Sequence, residues 1–259
     1  MSAGRIFSSL VATAAVAGCA LLVVGMNRAS AGQPAGTTAH HHSHAAVAPL
    51  SAGPARHHPS GRRLPLHFKT HHARRVITVV ASSHSSTTAR LQAWHKVAPR
   101  RWQKTGHAVT ANVGSQGLSS SPSESKSATP IGSFGLRRAF GRLHNPGTKL
   151  HYFQSTPADW WISQSGPLYN THQRCSSNCS FNQGSPNEHL YYETPYYNYA
   201  VVIEYNTHHV RQGAGSAFFL HVSVGQPTAG CVSIKQSKLV ALMRWLKPHA
   251  HPRILIGVS

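Results

Sequence analysis

Acidic side chains are scarce in this 259-residue chain: 5 Asp and Glu stand against 25 Lys and Arg, a formal net charge of +20. That balance favours anionic partners, namely nucleic acid, acidic membranes or phosphate-rich polymers. No acidic residue lies between His221 and the C-terminus. An imidazole at His221 must therefore be oriented by something other than a downstream carboxylate. There is no internal repeat and no alternation of strand with helix, which argues against a parallel doubly wound sheet. Cysteine is also sparse, with 4 in the chain, and an odd number remains once an N-terminal segment is set aside.

That segment runs from Ile6 to Met26 without a charged residue, after Arg5 and before Asn27-Arg28. It reads as an export signal or an N-terminal membrane anchor. Ala29-Ser30-Ala31 before Gly32 has the small-x-small form that signal peptidase cleaves, while the apolar stretch is long enough to span a bilayer if uncut. Val16-Ala17-Gly18-Cys19 looks like a lipoprotein box, but apolar Ala20 to Val24 stand where a polar tether would begin. An exported protein meets an oxidising environment and rarely meets chromosomal DNA. The basic charge then points to anionic wall polymers or lipid headgroups, with no nucleic-acid partner and no membrane contact beyond the N-terminal segment.

From 32 to 87 the composition is His, Ala, Ser, Pro, Gly and Arg, with "HHHSH" at 40 to 44. The expectation is a disordered tether whose histidines are solvated spacers more than metal ligands. The domain is expected over 88–259. Strands are read at 107 to 114, at 132 to 140 as one element, at 198 to 206 and at 215 to 224, where the apolar run suggests burial on both faces. The sequence "SSSPSESKSATP" is a polar loop between the first two. Leu239, Val240, Leu242, Met243 and Leu246 recur at helical spacing before Pro248, and "PRILIGV" closes the chain as a strand. The fold class is mainly β, sandwich-like, with one C-terminal amphipathic helix followed by a final strand.

"CSSNC" places Cys175 and Cys179 in a polar loop, where a short-range disulfide competes with a zinc site using His172 and His189. Compartment favours the disulfide, which leaves Cys231 as the free thiol. Gly230 before it allows a sharp bend and backbone N–H groups at Gly230 and Cys231 that can hold an oxyanion, and His221 on the preceding strand can act as base. The approaching helix could help lower the thiol pKa. The alternative is a buried structural cysteine beside one of 21 histidines.

His221, a short loop and Thr228-Ala229-Gly230-Cys231-Val232-Ser233 resemble the catalytic signature of the L,D-transpeptidase (YkuD-type) domain family. Thr129-Pro130-Ile131-Gly132-Ser133-Phe134 resembles its upstream Thr-Pro-x-Gly-x-Phe segment. Ala229 and Ser233 depart from the family's histidine and its basic or amide residue, and the His-to-Cys loop is shorter than usual. The pattern is similar to a divergent actinobacterial-type branch. The resemblance implies Cys231 as nucleophile, His221 as base oriented by a backbone carbonyl, Thr228 and Ser233 as candidate substrate contacts, and no metal or cofactor. It also implies acyl transfer on peptidoglycan stem peptides to an amine, to water in a carboxypeptidase, or a binding module that has lost activity. Export processing is checked by N-terminal sequencing of secreted protein: the expected first residue is Gly32, and an intact Met1 or Ser2 on membrane-bound protein would show an anchor.

Overall fold

The computed structural model describes residues 61–259. The export segment, the box at Cys19 and the histidine tract at 40 to 44 lie outside the described residues. The first element is not at 88. Arg75-Val-Ile-Thr-Val-Val-Ala81 is a β-branched run that forms β1 (Arg75–Ala81), followed by β2 (Thr88–Ala98) and β3 (Arg101–Asn112) in an antiparallel meander. The tether expected over 32–87 is thus corrected for 61–87. Leu64, Leu66 and Ala73 are buried with Trp94, Trp102 and Leu255, and the Arg62 and Trp102 backbones exchange two hydrogen bonds of 2.8 Å. A composition dominated by His and Arg hid a strand whose second partner lies at the far end of the chain.

Two short strands follow, β4 (Leu118–Ser119) and β5 (Thr129–Pro130), paired in parallel across the polar loop. The stretch read as one strand at 132 to 140 is two: β6 (Gly132–Gly135) and β7 (Arg138–Gly141). Leu136 between them is buried and donates its N–H to Pro252 at 3.0 Å. β8 (His151–Gln154) pairs with β7, and β9 (Asp159–Ile162), β10 (Thr171–Arg174) and β11 (Glu188–His189) make a separate three-stranded sheet. The chain then returns through β12 (Ala200–Val202), β13 (Phe219–Val222), β14 (Val232–Ile234), α1 (Gln236–Trp245) and β15 (Arg253–Val258).

The main sheet has ten strands in the order β6-β15-β1-β2-β3-β14-β13-β12-β7-β8. Two residues join β6 to β7, yet one is an edge strand and the other lies eight strands away in that order. The sheet therefore curls back on itself, and Glu204 N–H closes the gap to Gly135 O at 3.1 Å. The enclosed core holds Ile77, Val79, Leu220, Val232, Ile234 and Ile256. Helix α1 presents Leu239 and Met243 to it, with Leu246 just past its end, while Lys238 and Arg244 stay in solvent, which is the amphipathic helix expected from its spacing. The ladder expected to 206 stops at Val202, since Asn206 takes a left-handed φ of 53° and ties the next loop through Arg211 and Gly215. The described residues are mainly β, with one α-helix and a final strand.

Two truncations test the corrected boundary. A chain starting at Gly61 is expected to unfold cooperatively, whereas one starting at Thr88 loses β1 and its parallel pairing with β15 and is expected to show no cooperative transition by circular dichroism. In the intact protein, Ile77→Ala is expected to cost about 2–5 kcal/mol in urea unfolding.

Candidate active site

β13 and β14 run parallel, with Leu220 opposite Val232 and His221 opposite Ser233. Side chains alternate across a strand, so His221, Ser233 and Cys231 share a face. All three line one cleft of about 520 Å³. Only nine residues connect the two strands, and they must double back along β13. Gly230 makes that possible: its φ is +141°, and a Cβ there would sit 2.7 Å from the Phe218 ring. The Thr228 hydroxyl accepts from Gly230 N–H at 3.1 Å and donates to Cys231 O at 2.6 Å. Thr228 is thus a clamp within the loop, and the Gly230 N–H expected to face an oxyanion is already bonded to it.

The upstream motif meets the cysteine directly. Thr129 Oγ1 donates to Cys231 O at 3.3 Å, across 102 residues of sequence, and accepts from Gly114 N–H at 2.8 Å. Thr129 is fully buried. A threonine that the sequence marks only as part of a pattern therefore holds the cysteine's carbonyl in place.

His221 is 6% exposed, and its Nδ1 bonds to the Val222 carbonyl at 2.9 Å. A backbone carbonyl, not an acid, orients the ring, leaving Nε2 as the unprotonated nitrogen. Burial lowers its pKa from 6.5 to about 4, against the Val222 hydrogen bond, because the charged form is poorly solvated there. The Tyr197 ring packs on the imidazole edge-on, centroids 5.6 Å apart.

Cys231 is 8% exposed and packs with Phe140, Trp161, Tyr197 and Phe219. Its thiol donates to Ala217 O at 3.3 Å and accepts from Phe219 N–H at 3.3 Å. Its hydrogen-bond partners are backbone groups and not His221. Burial first, and then the charge of Glu188, push the thiol pKa well up, with the Phe219 N–H opposing. The lowered thiol pKa expected from a helix end is corrected: β14 separates Cys231 from α1, and the sulfur faces an apolar cluster. Ser233 is 1% exposed and is one of the residues lining the cleft.

Sequence reasoning missed the acids. Glu124, Glu188 and Glu193 line the cleft, three of the five in the chain. Tyr197 OH donates to Glu188 and Tyr169 OH to Glu124. Burial raises the Glu188 pKa from 4.5 to about 7; Tyr197 lowers it, while Glu193 and Glu124 raise it further. Glu124 lies 64 residues before Glu188 and 69 before Glu193, with no shared motif, so scarcity alone was the available signal. Elsewhere, Cys175 and Cys179 are joined in a disulfide. The competing zinc ligands are used otherwise: His172 Nε2 pairs with Asp159 at 2.8 Å and His189 Nε2 with Pro157 O at 2.6 Å. Comparison with protein-family models and with curated proteins finds no match to this chain.

The two shifted groups act on stability with opposite signs. The folded-state pKa of His221 is depressed, so the unfolded chain gains a proton first, and stability falls as pH drops from 6.5 through about 4. The folded-state pKa of Glu188 is raised, so the stability it contributes below 4.5 is lost as pH rises through about 7. Each shift corresponds to about 3 kcal/mol. In urea unfolding, Glu188→Gln is expected to gain on wild type by up to about 3 kcal/mol at pH 8 relative to pH 4, and His221→Gln to gain similarly at pH 4 relative to pH 7. Curves parallel to wild type for either variant would contradict the assignment.

Proposed function

We propose that the domain is a cysteine acyltransferase of the L,D-transpeptidase type, with the corresponding fold, acting on peptidoglycan stem peptides outside the cell and forming cross-links in the wall. The observation that carries this reading is the Thr129 hydroxyl bond to the Cys231 carbonyl, at 3.3 Å. It ties the two family-like motifs into one site, beside a histidine whose Nδ1 is already committed to a backbone carbonyl. The +20 charge suits a wall rich in anionic polymers.

In this reading Cys231 turns about χ1 from the Ala217 carbonyl toward the cleft. His221 Nε2 takes the thiol proton as sulfur attacks the carbonyl carbon before a terminal D-alanine. Transfer and attack are coupled, so that no free thiolate forms in so apolar a place and the imidazolium lasts only until it passes its proton on. The oxyanion draws on N–H groups of Cys231 and Gly230, the latter released from Thr228. His221 then protonates the departing D-alanine amine. An amine from a second stem attacks the thioester and gives a proton to His221, which returns it to sulfur as the C–S bond breaks. Water in place of that amine gives the tripeptide product of a carboxypeptidase.

A second reading, a peptidoglycan-binding module without turnover, is favoured by one observation: the thiol faces inward and bonds to Ala217 O. Incubation with disaccharide tetrapeptides and with a carbapenem separates the two. Dimeric product and one drug molecule added at Cys231, both absent in Cys231→Ala, are expected from mass spectrometry. His221→Ala is expected to slow acylation about 10²–10⁴-fold while keeping the fold. Turnover by Cys231→Ala equal to wild type would exclude the mechanism, and folded wild type with neither adduct nor product would leave the binding module.

A further inference from the structure

Residues 61–74 form a strap over the outer face of the main sheet. Val76 and Leu255 face outward and pack with Leu64 and Leu66 of the strap, while their strand neighbours Ile77 and Ile256 belong to the enclosed core. The strap pairs with β3 through Arg62 and Trp102. It then passes Gly257 of β15, where a Cβ would lie 3.2 Å from Phe68 and 3.3 Å from Leu66. At β6, Lys69 O accepts from Ser133 Oγ at 2.8 Å. Leu64 and Leu66 are buried, and Arg63, His67 and Lys69 between and beyond them are exposed. A cavity of about 490 Å³ lies between the strap and the β2–β3 turn, lined by Arg63, Lys96 and Arg100 beside Trp102. A second, also of about 490 Å³, adjoins it at His71 and is lined by Arg137 and Arg253.

The charge here has one sign, because none of the five acidic residues falls within 61–112. Neighbouring guanidinium groups are committed inside the fold: Arg74 Nη2 donates to His249 O at 2.9 Å, and Arg101 Nη1 to Gly61 O at 3.0 Å. Arg63, Lys96 and Arg100 have no ion pair among the described residues, and Lys96 Nζ lies 5.9 Å from the centre of the Trp102 ring. In the second cavity Arg137 is paired with Glu204 at 3.5 Å, while Arg253 holds Ser133 through Nε and Nη2. Unpaired cations lining one cavity favour an anion, and two adjoining basic cavities favour a repeating one. The exposed large apolar side chains among the described residues, Tyr192, Tyr196, Val210 and Val224, line neither cavity. The groove thus has no wedge to enter a bilayer, and Trp102 is buried, which leaves no open ring to stack a base.

We propose that this groove docks a linear polyol-phosphate polymer, with Arg63, Lys96 and Arg100 on one run of phosphodiesters and Arg253 on the next. The groove shares no lining residue with the Cys231 cleft, so docking goes beyond the acyl-transfer reading and stands apart from it.

Titration of the full chain into an end-labelled synthetic glycerol-phosphate oligomer, read by fluorescence anisotropy, tests the groove. The triple variant Arg63→Gln, Lys96→Gln, Arg100→Gln is expected to bind about tenfold or more weakly than wild type. Its slope of log K against log salt is expected to be shallower by about 2, from three phosphate contacts at about 0.7 each. A control with the same change of charge, Lys149→Gln, Lys235→Gln, Lys238→Gln, alters exposed lysines outside the groove and is expected to lose less than about threefold. Arg100→Gly separates docking from folding. Arg100 has a left-handed φ of 59°, which glycine adopts freely, so the urea midpoint is expected to hold while binding weakens. Equal losses in the two triple variants would reduce binding to net charge and overturn the proposal. So would full competition by glycerol phosphate at the same phosphate concentration, or no binding by folded wild type. Tighter binding to phosphatidylglycerol vesicles, or to single-stranded DNA of matched charge, would overturn it in favour of that partner.

Discussion

The site depends on parallel pairing between β13 and β14 across a connection of only nine residues. Parallel neighbours usually need a longer crossover, often through a helix. Here the chain must reverse, travel back along a four-residue strand and reverse again before Val232. The left-handed Gly225 and Gly230, both unavailable to most side chains, make the two turns. The two threonine hydroxyls on the Cys231 carbonyl then hold the end of the loop. Without that reversal the cysteine and the histidine would not share a face.

The same packing sets the chemistry. A parallel pair inside a curled sheet is buried on both faces, so the imidazole and the thiol both reside where charge is poorly solvated. Each is driven to its neutral form, the imidazole by a lowered pKa and the thiol by a raised one. A buried neutral thiol is less open to oxidation than an exposed thiolate. In the proposed acyl-transfer reading, charge separation would then fall at the moment of reaction and not in the resting state.

Charge distribution follows a parallel logic. A strongly basic surface attracts anionic polymers, while the cleft gathers most of the chain's few carboxylates. Long-range attraction of anions by the basic charge and short-range contacts in the cleft therefore involve different groups.

The sequence alone determined the elements whose signals are local. The helix before Pro248 follows from apolar spacing, the final strand from a β-branched and apolar run, and the pairing of Cys175 with Cys179 from their polar loop together with the expected oxidising compartment. The free status of Cys231 followed by elimination. Tertiary structure decided what depends on distant partners. β1 was hidden because its composition blends into a basic, histidine-rich stretch and its burial comes from β15, the last strand of the chain. The strand at 132 to 140 splits because its two halves pair at different places in the curled sheet, which no local pattern encodes. The inward orientation of the thiol and the meeting of Glu124, Glu188 and Glu193 are likewise products of packing, since hydrogen-bond partners and desolvation are fixed only when strands far apart in sequence come together.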